Sequence, residues 1–449
     1  MLKDLLKPEI EELIASRSWT DLKGGLSSWH EAEVADLLLS IDRQDRVLLY
    51  RVLPRDFAAD VFAEFDQDES ESLLESLTDA ETRRLLEDLS PDDRTALLEE
   101  LPAEVTRNLL NMLSPTDLKE ARQLLGYPED SVGRLMTPDF ISVKEVWTIG
   151  QTIEYIRKYG KDSETLYRIY VRDEKGKLLD DILLRNIILA NEDEKISSLM
   201  DYNVVSISAY QDQEEAVKYM DKYDVMALPV VDSVGNLLGI VTFDDVMDVH
   251  AEEVTEDFQK ISGVNPVYQS YLSASIPKMI LKRFPWLLAL VLVNFLTAGV
   301  IDFYRDVTLA VVALASFIPL LIGTAGNSGT QSATLIIRGL AVGEVETKDL
   351  GKIILKELSV GLSLGLVFGG VTYFRGMFEG HDNLDLALVI SLTMLVLILW
   401  ANLIGSVLPI ILAKLKLDPA VISSPLIATL IDVTGILIYY NIAIWILEL

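Results

Sequence analysis

Residues 420–447 read AVISSPLIATLIDVTGILIYYNIAIWIL, an apolar run that is long enough to cross a bilayer and contains no basic residue. Asp432 stands in its middle. A charged side chain at the bilayer centre costs about 2.5–3.5 kcal/mol on insertion scales, so the first reading is an ion or proton site facing a protein interior. The plainer reading is a protonated or internally hydrogen-bonded structural Asp. At 3.6 residues per turn, Pro425, Ala428, Thr429 and Asp432 share one face, with Gly435 following. That face is small and oxygen-bearing around a single carboxylate, which makes Ala428, Thr429, Asp432 and Gly435 candidates for an ion pathway.

Working back along the chain, four more apolar runs lie near 283–303, 307–337, 353–375 and 384–413. The second contains Pro319-Leu-Leu-Ile-Gly-Thr-Ala-Gly-Asn-Ser-Gly-Thr-Gln331, followed by Ser332 and Thr334. A proline, three glycines and so many hydroxyls and amides do not suit a lipid-facing helix. The expectation is a broken backbone lining a wet cavity, where such breaks are tolerated. Asn327 and Gln331, one helical turn apart, offer oxygen ligands or hydrogen bonds to hydration water. The third run carries Gly361, Gly365 and Gly369, a ridge for close helix packing. Basic residues orient the spans. Lys278, Lys282 and Arg283 precede the first; Arg338, Lys348, Lys352 and Lys356 follow the second; Lys414 and Lys416 follow the fourth. The opposite loops hold Arg305 and Arg375, diluted by Asp302, Asp306, Glu379 and Asp382. The N-terminal part is therefore expected in the cytoplasm and the C-terminus outside. An odd number of spans excludes an inverted repeat within one chain and argues for an oligomer.

Charge divides the chain at the same place. Residues 276–449 hold 12 acidic and 11 basic residues; the remainder holds 57 acidic and 28 basic, a net of −29. Such a surface excludes nucleic acid and anionic lipid as partners and concentrates cations. The chain has no cysteine and only His30, His250 and His381, so thiolate and soft-metal chemistry is poorly supplied. Carboxylates, amides and carbonyls suit hard cations such as Mg²⁺, Mn²⁺ or Ca²⁺. The opening residues, Met-Leu-Lys-Asp-Leu-Leu, carry no long apolar core, and no cleavable signal is expected.

Residues 30–130 repeat with a period of twelve. Leu37, Leu49, Val61, Leu73, Leu85, Leu97 and Leu109 form one register; the next position gives Leu38, Tyr50, Phe62, Leu74, Leu86, Leu98 and Leu110. A third register runs Ile41, Leu53, Phe65, Leu77, Leu89, Leu101 and Leu113, with Pro54, Pro91, Pro102 and Pro115 between units. Short helices entered by Pro, Asp or Ser cannot bury such stripes alone, so they stack into a superhelix. Residues 131–250 change to two βαββα units. The second is clearer, with strands at 204–207, 226–231 and 237–242 and helices at 213–223 and 243–249. The first has strands at 140–143, 167–171 and 178–184 around a helix at 149–159. This resembles a tandem pair of cystathionine-β-synthase-type (CBS) modules, which commonly sense ligands beside transporters and enzymes. Repeat two has Thr242-Phe-Asp-Asp245, as nucleotide-binding members often do. Repeat one has Leu183 and Asn186 there, and Asp180 where repeat two has Gly239, which argues against ATP as a ligand without excluding it.

The segments around Pro319–Thr334 and Ser424–Gly435 resemble the signatures of the MgtE family of bacterial Mg²⁺ channels. The order of parts is similar as well. The expected architecture is multidomain: an all-α helical superhelix (1–130), α/β tandem CBS modules (131–250), a connector or plug helix (251–277) and a five-helix transmembrane domain (278–449). The resemblance implies a homodimer in the plasma (inner) membrane with one ion pathway at the subunit interface, lined by spans two and five. It implies Mg²⁺ as both substrate and regulatory ligand, Asp432 as the central ion site, and the connector as a gating plug. Regulatory Mg²⁺ ligands carried over from the family are Asp60 and Asp92 in the helical domain, and Asp212, Glu214, Asp224, Asp245 and Asp248 in the second CBS unit. In the plug they are Glu253, Glu256 and Asp257. Ala96 stands where the family can supply a further carboxylate, and Ser424 where it can supply an amide. No Ser-His-Asp order, His-Glu-x-x-His motif or paired membrane carboxylates support an enzyme. A CBS-regulated anion channel lacks the intramembrane cations it would need. Proton-coupled or less selective divalent carriage through Asp432 stays open beside a Mg²⁺ channel.

Overall fold

The computed structural model describes residues 2–267, 271, 274–379, 384–421 and 424–449. His381, Asp382, Ser423 and the connector positions 268–270 and 272–273 lie outside the described residues. The chain divides into two compact units, Met1–Glu252 and Glu253–Leu449.

The first unit opens with α1 (Leu2–Ala15) and α2 (Trp19–Leu26). The twelve-residue units follow as α3 (Glu31–Ser40), α4 (Arg43–Val52), α5 (Arg55–Ala63), α6 (Gln67–Leu74), α7 (Asp79–Asp88), α8 (Pro91–Glu100), α9 (Ala103–Leu110) and α10 (Pro115–Leu124). The chain restarts several of these helices with a local cap. Ser90 and Ser114 accept from the amides of Asp93 and Asp117, with Pro91 and Pro115 in the first turn, and Thr78 with Glu81 forms a reciprocal capping box. Alternate helices pack on one another, α3 on α5, α5 on α7 and α8 on α10. The three apolar registers are buried, apart from Leu74, Leu77 and Leu110, which are partly so. One core therefore threads the whole stack.

The first CBS module comprises α11 (Val132–Leu135), β1 (Phe140–Lys144), α12 (Ile149–Tyr159), β2 (Thr165–Arg172), β3 (Leu178–Leu183) and α13 (Leu184–Leu189). The second comprises β4 (Ile207–Ser208), α14 (Gln213–Tyr223), β5 (Ala227–Val231), β6 (Leu237–Thr242) and α15 (Phe243–Ile261). Each sheet joins a parallel pair to an antiparallel one, β1-β2-β3 and β4-β5-β6. The two β-turns meet: Leu178 donates to Gly235 O at 3.0 Å and Leu237 to Gly176 O at 3.1 Å. Both glycines have positive φ, +93° at Gly176 and +88° at Gly235, which an L side chain resists. The Asp180/Gly239 difference between the modules has a packing cause. Asp180 is buried and accepts from the amides of Asp201 and Tyr202 at 2.7 and 3.0 Å, while a Cβ at Gly239 would come within 2.6 Å of Thr137 O. The helix that begins at Phe243 does not stop at 249. It runs on to Ile261, so the connector starts as its continuation and not as a separate helix.

The second unit holds α16 (Ile276–Phe303), α17 (Arg305–Ala310), α18 (Ala313–Ala341), α19 (Leu350–Glu379), α20 (Leu384–Lys414) and α21 (Ser424–Leu447). Four helices among the described residues, Ile276–Phe303, Thr347–Met377, Leu384–Lys414 and Ser424–Leu447, are long and apolar enough to cross a membrane. At 29 residues α18 has the length, but its amides, hydroxyls and glycines dilute its apolar character. The expected break in this segment is corrected: α18 is continuous through Pro319 and its glycines, and the interruption falls earlier, at Val311 and Val312. The glycines serve packing instead. A Cβ on Gly405 would lie 2.2 Å from Gly329 O, and Gly361 and Gly365 bring α19 against Leu399 and Leu395 of α20.

Replacing Leu86, fully buried in the helical stack, with Ala should cost about 2–5 kcal/mol of stability. Leu48→Ala, at a 42% exposed position, should stay within about 0.5 kcal/mol. Unfolding midpoints of the two variants check the pair.

Candidate ion pathway and acidic interface

Asp432 is the ninth of the 24 residues of α21, half-buried, and makes no hydrogen bond or ion pair among the described residues. Its helix is fixed by neighbours on other faces. Trp400 Nε1 donates to Thr434 Oγ1 at 3.0 Å, Tyr439 OH donates to Leu314 O at 2.9 Å, and Tyr440 pairs with the Thr308 hydroxyl at 2.8 Å while stacking on Tyr304. Ala428, one turn before Asp432, faces Gly326, where an added Cβ would sit 3.8 Å from the Ala428 Cβ. Thr429 is buried and spends its hydroxyl on Pro425 O of its own helix at 2.8 Å. Gly435 is buried, and a Cβ there would lie 2.8 Å from Ile322 Cδ1, so this glycine admits α18. On α18, Gly323, Asn327 and Gln331 form an exposed stripe one turn apart, beside the Gly326 that meets α21. The pathway candidates thus divide: Asp432, Ala428, Asn327 and Gln331 lie on or beside accessible faces, whereas Thr429 and Gly435 work in the packing of α21.

One polar network escaped the sequence reading. Ser328 Oγ donates to Asn402 Oδ1 at 2.6 Å, and Ser332 Oγ donates to Glu357 Oε2 at 2.7 Å while lying 3.3 Å from Asn402 O. The pairing joins α18, α19 and α20, and no local pattern announces it. Toward the connector, Lys260 Nζ binds Asp418 at 2.8 Å and also pairs with Glu256, whose carboxylate is thereby engaged. Glu253 and Asp257 lie half-buried on the same helix.

In the first unit, carboxylates gather where the first turns of α8 and α15 approach each other. Asp92 is only 8% exposed, and its Oδ1 has no hydrogen-bond partner among the described residues. Burial, then the charge of Asp93, pushes its carboxyl up to about 6. Burial, then Asp92, pushes Asp245 up to about 8, against the Thr242 hydroxyl that donates to it. Glu164 rises to about 7 by burial and by the charges of Asp92, Asp244, Asp93 and Asp139. Asp248 is raised by burial and then by Asp244 and Asp93; Asp60 by burial and then by Glu31, Asp93 and Asp56. Nearby, burial and the charge of Glu252 lift Glu100 to about 7. Asp60, Asp92, Asp245 and Asp248 therefore share one electrostatic neighbourhood. The structure adds Asp93, Glu164 and Asp244; for Asp93 and Asp244 the acidic doublets in two helix-opening turns were the available signal. Asp212, Glu214 and Asp224 lie elsewhere, around α14: Asp212 caps the helix on the Glu214 amide at 3.0 Å, Glu214 pairs with Lys218, and Asp224 takes the left-handed C-cap position. Among the described residues no three His, Asp or Glu side chains converge tightly enough to hold an ion.

Residues 318–442 match the MgtE divalent cation transporter model, 29–130 the MgtE intracellular N domain, and 132–193 and 196–252 the CBS domain. The chain is 41% identical over 329 residues to the magnesium transporter MgtE of Thermus thermophilus, covering 73% of each. It is 37% identical over 324 residues to that of Enterococcus faecalis, covering 72% of this chain and 71% of the relative. Its fold is similar to a crystal structure of the cytosolic domain of the Mg²⁺ channel MgtE in complex with ATP. That match is 34% identical with a TM-score of 0.52, over 54% of this chain and all of that one.

The raised carboxyls fix the sign of a pH effect. Between about pH 4 and 8 Asp92, Glu164 and Asp245 hold more protons folded than unfolded, so the stability they contribute is greatest on the acid side and falls as pH rises through the folded values. In chelator, the unfolding temperature of the first unit should drop from about pH 6 to about pH 8.5. Mg²⁺ should restore it more at the alkaline end, and Asp245→Asn should flatten the profile.

Proposed function

The chain belongs to the MgtE family of magnesium transporters, and we propose that it is a Mg²⁺-selective channel that admits Mg²⁺ and is closed by Mg²⁺ bound to its cytosolic carboxylates. It is a membrane protein with cytosolic N-terminal domains, and it is not an enzyme. The observation that carries the channel reading is Asp432: a half-exposed carboxylate within an apolar helix, unpartnered among the described residues, with the polar stripe of Asn327 and Gln331 on the adjoining α18. Mg²⁺ dehydrates reluctantly and is commonly held through one or two carboxylates with retained waters. One Asp432 per chain, doubled by a two-fold axis in a homodimer, supplies two. Asn327 and Gln331 then orient hydration water, and α18 counts as the fifth span, its polar face turned from lipid. The positive-inside pattern supports an exterior C-terminus in the inner membrane.

For gating, buried carboxylates at α8 and α15 favour a docked arrangement once Mg²⁺ neutralises them, and disfavour it when the ion is withdrawn. The continuation of α15 into the connector supports its role as the moving plug, with Glu253, Glu256 and Asp257 as its acidic face. The paired turns and the Thr242–Asp245 segment support a CBS pair able to take ATP, the ligand bound in the similar cytosolic-domain crystal structure. Asp212, Glu214 and Asp224 join the regulatory set only if Mg²⁺ draws them from their helix-terminal roles. A proton-coupled or less selective Mn²⁺/Co²⁺ carrier is the second reading, favoured by a lone Asp432 that can take up a proton as readily as face a cation.

Asp432→Ala should abolish Mg²⁺ flux into liposomes or remove its preference for Mg²⁺ while the protein remains folded. Wild-type flux in that variant would sink the assignment, and flux that tracks an imposed pH gradient would favour the carrier. Limited proteolysis near residues 252–260 should slow in millimolar Mg²⁺ and accelerate in chelator, with Asp92→Asn and Asp245→Asn losing the contrast.

A further inference from the structure

We infer that Glu357 is a positioning residue for the ion pathway: through Ser332 it fixes the rotation of α18 that presents Asn327 and Gln331. The inference rests on the reading that α18 lines that pathway.

Glu357 lies seven residues into α19, about 10 Å along the helix at 1.5 Å per residue. Its neighbours Lys352 and Lys356 are exposed, whereas Glu357 is half-buried and turned toward α18, where Ser332 Oγ donates to it at 2.7 Å. A carboxylate within an apolar bundle carries a desolvation cost that a leucine would avoid. What Glu357 supplies is the nearer acceptor. The Ser332 hydroxyl has one proton, and the Glu357 oxygen lies at 2.7 Å against 3.3 Å for the Asn402 carbonyl oxygen. One turn earlier, Ser328 donates to Asn402 Oδ1 at 2.6 Å.

These two serines lie on the face of α18 that has no slack. Gly329, between them, sits where an added Cβ would be 3.0 Å from Ala401 O, and Ser332 and Asn402 are almost wholly buried. Asn327 and Gln331 immediately precede Ser328 and Ser332, about 100° around the helix, on the exposed stripe. A rotation that slackens the serine face therefore swings the amide stripe by the same angle. Selection among hydrated divalent ions depends on donor positions at the scale of a hydrogen bond, so a small rotation suffices to blur it.

The test is Mg²⁺ against Mn²⁺ and Ca²⁺ flux in liposomes, with thermal unfolding as a folding control. Glu357→Leu and Ser332→Ala should each lower the selectivity ratio about tenfold, and the double variant should fall no further, as expected of one shared interaction. Glu357→Gln keeps an acceptor oxygen for Ser332 and should stay within about twofold of wild type. Wild-type selectivity in Glu357→Leu and Ser332→Ala, or additive losses in the double variant, overturns the inference. So does a Glu357→Gln loss as large as that of Glu357→Leu, which would make the charge itself the selecting element. Asn327→Ala separates the two levels. If it changes selectivity while Glu357 and Ser332 variants do not, only the positioning role fails; if it too is silent, the pathway reading of α18 fails with it. Should Glu357→Leu not fold, Ser332→Ala and Glu357→Gln, each altering a single polar atom, carry the same decision.

Discussion

Carboxylates brought together out of water cannot all remain ionised without a counter-charge, and the functional arrangement of this protein follows from that constraint. In the first unit the helical stack and the two CBS modules bring Asp92, Asp93, Asp244, Asp245 and Glu164 into one neighbourhood, with Arg94 committed elsewhere to Glu120. Among the described residues, the charges that bear most on Asp245 and Glu164 are all acidic, so their counter-charge must come from protons or from a dissolved cation. The surface excess of −29 raises the local concentration of such cations. An interface of this kind is what the proposed feedback requires, because its cohesion depends on a species whose concentration varies.

The membrane unit obeys the same rule under a harsher solvent. Glu357 has a serine hydroxyl, and Asn402 takes a hydrogen bond from Ser328. Asp432 has no such donor among the described residues, and it lies half exposed. Close approach of α18, α19 and α20 through Gly329, Gly361, Gly365 and Gly405 leaves those helices little freedom to rearrange around an ion. Any plasticity that the proposed conduit needs is then not supplied by unwinding of α18, which is continuous.

Much of this was legible in the sequence, because the governing signals are periodic. The twelve-residue repeat identified the buried registers of the helical stack, and the paired βαββα patterns placed α12, α14 and β6 at their observed bounds. Asp432 stood out because a charge in an apolar run has few innocent explanations. What failed was inference from composition to backbone geometry. Pro319 and the glycines of α18 suggested a broken helix, yet tertiary packing on α20 keeps it intact, since small residues there allow close approach. The end of the last CBS helix was also misplaced, because nothing local terminates it at 249; the following residues, Ala251, Glu252 and Glu253, are themselves good helix formers. Contacts between distant positions, such as Ser332 with Glu357, have no sequence periodicity and could be seen only in the folded chain.

The two kinds of carboxylate site differ in a way that suits the proposed pairing of conduction with feedback. A conducting site must release its ion quickly, which favours a single carboxylate per chain, partial exposure and water-mediated contact, the role proposed for the half-exposed Asp432. A sensing site must change its occupancy over the range that the cell controls, which calls for several carboxylates acting together. Their mutual repulsion makes the empty state costly, and their raised proton affinity sets the baseline against which the metal competes. Were the clustered arrangement placed in the pathway, the ion would be held too tightly to pass. Were the lone Asp placed at the docking surface, its neutralisation would release too little free energy to move a domain. Under the proposed function, the segregation of −29 to one part of the chain and near-neutrality to the other keeps these requirements apart.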